Sequence, residues 1–242
     1  MNLGWKLALH IRGITKADVL KTYAIERMTA VKRLIGYDKD ISVLMSHQWP
    51  SWYKGDRSAD PYILLGEIFE KAASFNTGLG ISYPLNAVNQ DSAVNLNVSA
   101  GARPPDVDLT MPGTNRPIRF QRVTRNLAKF YVVVYTGRVE STRKSLLALE
   151  EFLQTAGEEL SADDAISWIT ISCTLGCSPY EALGMMPFGS AYFDPTMFAH
   201  EKIGMNTDTG GVVVLRPDGL VGSAGPIHGP WIWEYFKSIL ND

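Results

Sequence analysis

Hydrophobic positions in the first ninety residues recur at helical spacing. Leu3, Leu7 and Ile11 repeat every four residues, and Trp5, Ala8 and Leu9 widen the stripe. That pattern predicts a helix with a broad buried face, ended by Gly13, rather than a secretory leader, because Lys6, His10 and Arg12 interrupt the apolar run. Residues 14–46 predict a second, long helix. Thr15 or Asp18 would cap it. Leu20, Tyr23, Ile25, Val31, Leu34 and Ile35 would be its apolar positions, and Glu26, Arg27, Lys32 and Arg33 its solvated face. Pro50 and Gly55 mark a loop. Asp60 followed by Pro61 opens a third helix, a capping carboxylate and then proline in the first turn, which ends near Gly78. Residues 76–84 hold two glycines and a proline and read as turns.

From about Ala93 the period shortens. Residues 94–110 are expected to start as a strand and become a Pro/Gly loop. Residues 117–123 alternate apolar and basic residues, as an exposed or edge strand does. Residues 129–137 are β-branched throughout their centre, as in a buried strand. Residues 141–157 predict an amphipathic helix capped by Ser141 or Thr142, with Leu146, Leu149, Phe152 and Leu153 facing the core. A second buried strand over 165–174 and a short helix with Pro179 in its first turn follow. Two strands joined at Arg216-Pro217-Asp218-Gly219 and a closing helix begun by Pro230 complete the pattern. Strand, helix, strand, hairpin, helix is the outline of an α/β layer with a mixed sheet, close to a thioredoxin-like core. The segment before it is mostly helical and shows no obvious core of its own.

Composition adds bounds rather than a function. The 242 residues carry 23 Lys+Arg against 25 Asp+Glu, a formal net charge of −2, so no polyanionic partner such as nucleic acid is implied. No run is long and apolar enough to span a membrane. Two cysteines are too few for a secreted disulfide scaffold, so a reducing, cytoplasmic compartment is expected.

Candidate chemistry is sparse. Cys173 and Cys177 are spaced C-x3-C, one residue longer than the C-x2-C of a thiol–disulfide site. Zinc would need two more soft ligands, which no nearby His or Cys supplies, so the favoured reading is two buried small residues. His10, His47, His200 and His228 are scattered, and a structural or surface role is expected for each. Gly78-Leu79-Gly80 lacks the third glycine and preceding strand of a dinucleotide loop. There is no G-x-S-x-G elbow and no P-loop. Arg116, Arg119, Arg122, Arg125, Lys129 and Arg138 form a basic stretch without an acidic residue. An edge strand protected by charge is favoured over an anion-docking face.

Several blocks resemble one family. Asn2, Leu3, Trp5, Lys6, Leu7, Gly13, Leu20, Tyr23, Glu26 and Arg27 resemble the N-L-x-W-K-L…G…L-x-x-Y-x-x-E-R pattern of FAD-dependent aromatic hydroxylases, the group that includes phenol 2-monooxygenase. Residues 75–84 are similar to the F-T-S-G-x-G-I-x-Y segment of the phenol hydroxylase branch, and residues 100–109 to the G-x-R-x-P entry of its C-terminal domain. Residues 199–222 are similar to its A-H-x-x-Y-G-I…V-V-R-P-D-G-Y-V-G ending, with Ile203 and Leu220 where tyrosines are usual.

The resemblance implies a helical remnant of the FAD/substrate region over 1–94. It implies a redox-inactive, thioredoxin-like dimerisation domain over 95–242. The parent reaction would be hydroxylation of a phenolic ring with FAD, NADPH and O2. In that family the G-x-G-x-x-G, D-G and G-D-A-A-H motifs and the flavin-contacting G-M-N lie upstream of the opening helix, and none is found here. Asn2 aligns with a later asparagine. No catalytic, cofactor-binding or metal-ligating residue is therefore carried over. The chain is expected to be the C-terminal part of such an enzyme, not competent alone and binding FAD weakly or not at all. The alternative is a non-catalytic module that pairs with itself or with a full-length relative. An active thioredoxin or peroxidase is disfavoured by the cysteine spacing.

Overall fold

The computed structural model describes residues 2–160 and 165–241. Three helices come first: α1 (Asn2–Ile11), α2 (Ala17–Met45) and α3 (Pro61–Asn76). After a long irregular segment come β1 (Asp108–Thr110), β2 (Pro117–Arg119), α4 (Phe120–Val123), β3 (Phe130–Tyr135), α5 (Val139–Leu160) and β4 (Ile166–Ser172). The chain then forms α6 (Pro179–Leu183), β5 (Ser190–Phe193), α7 (Phe198–Ile203), β6 (Gly211–Leu215), β7 (Val221–Gly225) and α8 (Gly229–Ile239).

The seven strands form one sheet in the order β2-β1-β5-β4-β3-β6-β7. β3 runs parallel to β4 and β4 to β5, while β6 is antiparallel to both β3 and β7. The run β4-β3-β6-β7, with α5 as the crossover between the two parallel strands and α8 after the hairpin, is the thioredoxin-like core, so the α/β expectation holds. Every residue of β3 is buried, as its unbroken β-branched and aromatic run requires of a central strand. β2 is the edge, and Arg119 there pairs with Asp106 at 3.0 Å, which fits the charged-edge reading of the basic stretch.

Two cores sandwich the sheet. On one face Val132, Val134, Val212 and Val214 meet α5 and α8 through Leu146, Leu149, Ile232 and Phe236. On the other, Val133, Val213 and Leu215 meet Leu109, Phe120 and Ile203. Trp5, Leu9 and Val19 belong to the first core, with Trp5 edge-on to Phe130 at 5.6 Å. The far half of α2 and α3 have a small core of their own around Leu44, Leu64, Leu65 and Ile68, where the sequence showed none.

Several local expectations are corrected. Leu3, Leu7 and Ile11 are exposed, and α1 instead buries Trp5, Lys6 and Leu9. On α2, Ile25, Val31, Leu34 and Ile35 are exposed, while Glu26, assigned to the wet face, is wholly buried. The cause is the same for both helices: they turn a mixed polar face toward an ionic cluster inside the protein. Thr15 and Asp18 do not cap α2, whose N-cap is Lys16, and α5 begins at Val139, before Ser141 and Thr142. Residues 93–98 form no strand; they are bends whose Val94, Leu96 and Val98 pack on the second core. Asp60 caps α3 by accepting from the Tyr62 amide, and Ser178 caps α6 from the Glu181 amide. Among the described residues no helix is long and apolar enough to cross a membrane.

Candidate functional site

The family-like blocks converge on one buried point. α1 presents Asn2, Trp5 and Lys6, α2 presents Thr22 and Glu26, a loop brings Asn86 and Asn89, and the turn between β6 and β7 brings Arg216 and Asp218. That turn is closed by the Gly219 amide donating to the Arg216 carbonyl, with Gly219 in the left-handed region at φ 77°.

Glu26 sits at the centre. Its Oε1 accepts from Arg216 Nη1 at 2.6 Å, Asn89 at 3.0 Å and Asn86 at 3.1 Å. Its Oε2 accepts from Asn2 at 2.6 Å, Lys6 at 2.7 Å and Arg216 Nη2 at 3.2 Å. Arg216 turns the rest of its fork to Asp218, at 3.0 Å from Nε and 2.7 Å from Nη2, and Trp5 Nε1 donates to the same carboxylate at 3.1 Å. The guanidinium also lies 5.5 Å from the Trp5 ring centre and 5.7 Å from that of Tyr83.

Two cations and two anions balance. Burial alone would raise the Glu26 carboxyl, but Arg216, Lys6 and Asn2 more than reverse it and hold it at about 2. Burial pulls the Lys6 ammonium below its ordinary range despite Glu26 beside it. Glu26 therefore has every lone pair engaged and stays ionised, so it has no proton to give and no free capacity to take one. The cluster is a clamp rather than an acid–base centre. Against it lies a cavity of about 410 Å³ whose wall includes Tyr23, Arg27, Tyr83, Arg103, Asp218 and Leu220.

A second buried polar group lies at the carboxyl end of the parallel strands. His200 accepts the Gly137 amide hydrogen on Nε2 at 3.2 Å, which leaves its proton on Nδ1, 2.8 Å from Asp194 Oδ2. Cys173 Sγ lies 3.4 Å from Nε2. His200 is thus buried rather than on the surface, and it stands beside Cys173, which the spacing of the two had not suggested. Burial, then Asp194, pushes the Cys173 thiol up to about 12, which disfavours the thiolate that redox chemistry uses. Cys177 is exposed rather than buried, and neither cysteine is in a disulfide. In this topology the helix N-terminus that would activate a thiol follows β3, and there the chain reads Thr136-Gly137-Arg138-Val139. Among the described residues no group of three or more His, Cys, Asp or Glu is placed to hold a metal.

That same helix start does not fit a dinucleotide. The Arg138 amide is taken by the Thr207 carbonyl, Arg138 pairs with Asp208 at 3.1 Å, and a Cβ at Gly137 would collide with Thr207. The residues 206–210 loop fills the place a pyrophosphate would need. The start of α5 is thus closed to a phosphate by its own chain.

Comparison with known proteins fits this picture. No protein-family model matches the chain. Over 99% of its length it is 23% identical to the 3-hydroxybenzoate 4-monooxygenase of Comamonas testosteroni, covering 42% of that enzyme. It is 25% identical over 94% of its length to an FAD-dependent monooxygenase of Aspergillus hancockii, covering 44% of it. It is 23% identical over 91% to a phenol 2-monooxygenase of Aspergillus fumigatus, covering 40% of it. Among solved structures, the rebeccamycin biosynthetic enzyme RebC with reduced flavin superposes on 98% of the chain and 40% of its own, at TM-score 0.56 and 17% identity. The chain is a homologue, along nearly its whole length, of FAD-dependent aromatic monooxygenases, phenol 2-monooxygenase among them. It spans about two fifths of the length of the curated relatives it matches.

Proposed function

We propose that these residues are the C-terminal part of a phenol-hydroxylase-type flavoprotein, and that they hold its thioredoxin-like domain and the helices that join it to the flavin-binding part. The carrying observation is the clamp. Asn2, Trp5, Lys6, Glu26, Arg216 and Asp218 come from the blocks that resemble this family, and they meet around one carboxylate. Such a cluster fixes how two helices meet one hairpin, which is a positioning role. Ring hydroxylation with FAD, NADPH and O2 would belong to the intact enzyme, in which the cofactor carries the oxygen chemistry. On this reading the purified chain, incubated with FAD and desalted, retains no stoichiometric flavin absorbance and oxidises no NADPH in response to phenol. Stoichiometric retention of flavin would overturn it.

A second reading is favoured by one observation. Ile11, Ile25, Met28, Leu34 and Ile35 are 80%, 49%, 55%, 45% and 61% exposed along α1 and α2. Apolar side chains so displayed suit association with a second copy or with a full-length relative, as a non-catalytic module would require. Sedimentation at micromolar concentration separates the two: a monomer with no affinity for a full-length relative removes the second reading.

A further inference from the structure

The outer face of α2 carries an apolar seam that the described residues leave open. α2 turns Val19, Thr22, Glu26 and Ala30 inward. At helical pitch, positions 24, 28, 31 and 35 stand about opposite, and Ala24, Met28, Val31 and Ile35 there are all exposed. Their spacing of four, three and four is that of the a and d positions of a two-stranded coiled coil. Ile25 and Leu34, also exposed, flank the seam on its two sides. The same spacing carried one step further at each end reaches Lys21 and Asp38, both exposed. Lys21 is bonded to Asp18 one turn earlier at 2.6 Å, in a pair that is itself open to solvent.

These end charges decide what fits the seam. A second copy of α2 laid parallel would set Lys21 on Lys21 and Asp38 on Asp38. Laid antiparallel, with its midpoint level with Thr29 and Ala30, it sets Met28 on Val31, large Ile35 on small Ala24, and Lys21 on Asp38, each twice by symmetry. On one flank Asp18 then faces Lys39, and Ile25 faces the stem of Lys32. A shift by one heptad in either direction puts Lys21 on Val31 or Asp38 on Met28. A helix of other sequence would have to bring matching charges to both ends, whereas a second copy brings them by symmetry. We propose that α2 is a self-pairing surface, along which a second copy of this chain lies antiparallel over residues 21–38, about 27 Å of helix. The inference deepens the second reading above, that of a self-associating module, and rests on it.

The test is the dimerisation constant of the 242-residue chain by sedimentation equilibrium. Met28→Asp sets two carboxylates into the seam and should weaken dimerisation about 100-fold or more. Lys21→Glu and Asp38→Lys should each weaken it about 10-fold, by replacing two attractions with two repulsions, and the double variant should return to within about 3-fold of the parent. All three side chains are exposed in the single chain, so the variants should keep the far-ultraviolet circular dichroism of the parent, which separates lost pairing from lost folding. A parent chain that stays monomeric at about 100 µM overturns both the proposal and the self-association reading. A dimer that Met28→Asp leaves unchanged keeps that reading and overturns the proposal alone. A charge-swapped double variant no better than either single variant overturns the antiparallel register and with it the proposal.

Discussion

Arg216 donates to both carboxylate oxygens of Glu26, at 2.6 and 3.2 Å, across 190 residues of chain, and both side chains are wholly buried. A pair of this kind ties the start of α2 to the β6–β7 turn. Its net attraction is small beside the penalty for losing one member, because the survivor is then a bare charge in a dry interior.

Arg216→Met should therefore destabilise the chain by about 3–5 kcal/mol, seen as a fall in Tm of roughly 6–20 °C for a protein of this size. Lys6→Met should cost less than half as much. Burial already disfavours the Lys6 ammonium, and without it Glu26 keeps Arg216, Asn2, Asn86 and Asn89. Thermal melts of the two variants decide the matter. A Lys6→Met protein as damaged as Arg216→Met would mean that the lysine, not the arginine, holds the centre.

The clamp should also make stability depend on pH in a stated direction. Glu26 is held at about 2 in the folded chain, below its ordinary value of 4.5. Its depressed folded value means that its contribution is fully present above 4.5 and is lost as the pH falls toward 2. Urea midpoints of the parent and of Glu26→Gln, compared from about pH 6 down to about pH 3, should show the widest gap at the top of that range and a closing gap below about 4.5. A gap that stays constant through it would show that the carboxylate is not the group in charge.

Distance along the chain decided how much of this was legible in the sequence. The Pro-opened helices, the all-buried β3 and the Arg216–Gly219 turn are set by residues within a few positions of one another, and each was readable. The buried faces of α1 and α2 were not. Lys6 and Glu26 look like solvent residues until Arg216 and Asp218 are brought to them, and exposed Leu3, Leu7 and Ile11 then look like core. The clamp had one sequence signal, the family-like blocks, though nothing local said that they meet. β5 and α7 were missed because four and six residues carry too little periodicity, hemmed by Gly189, Pro195 and Gly204. The approach of Cys173 to His200 depends on the pairing of β4 with β5, which no spacing records.

The two cysteines should differ sharply in reactivity. Cys177 is exposed, whereas Cys173 is buried with its thiol pushed up to about 12. A thiol-exchange reagent at about pH 8 should modify one sulfur per native chain quickly and the second only on unfolding. Cys177→Ser should abolish the fast phase. A fast phase that survives that substitution would return Cys173 to consideration as a working thiol.

The His200 ring serves two partners through different nitrogens, and two substitutions can separate them. An asparagine amide nitrogen stands about where Nδ1 is, so His200→Asn can keep a donor for Asp194 while dropping the Gly137 amide. A glutamine oxygen reaches about where Nε2 is, so His200→Gln can keep Gly137 while leaving Asp194 only its backbone donors. Asp194 is 1% exposed. Burial would raise its carboxyl, but the His200 side chain and the His200 and Ala199 amides hold it below the usual carboxylate range. A hydrogen bond to a charged group is worth more than one between neutral groups, so His200→Gln should lose about 2–3 kcal/mol and His200→Asn about 1. Amide exchange supplies an independent reading. The Gly137 hydrogen should exchange faster in His200→Asn than in His200→Gln, the reverse of their order in stability. If His200→Asn were the less stable of the two, the proton would lie on Nε2, and the contact with Asp194 would not be the one that holds this loop.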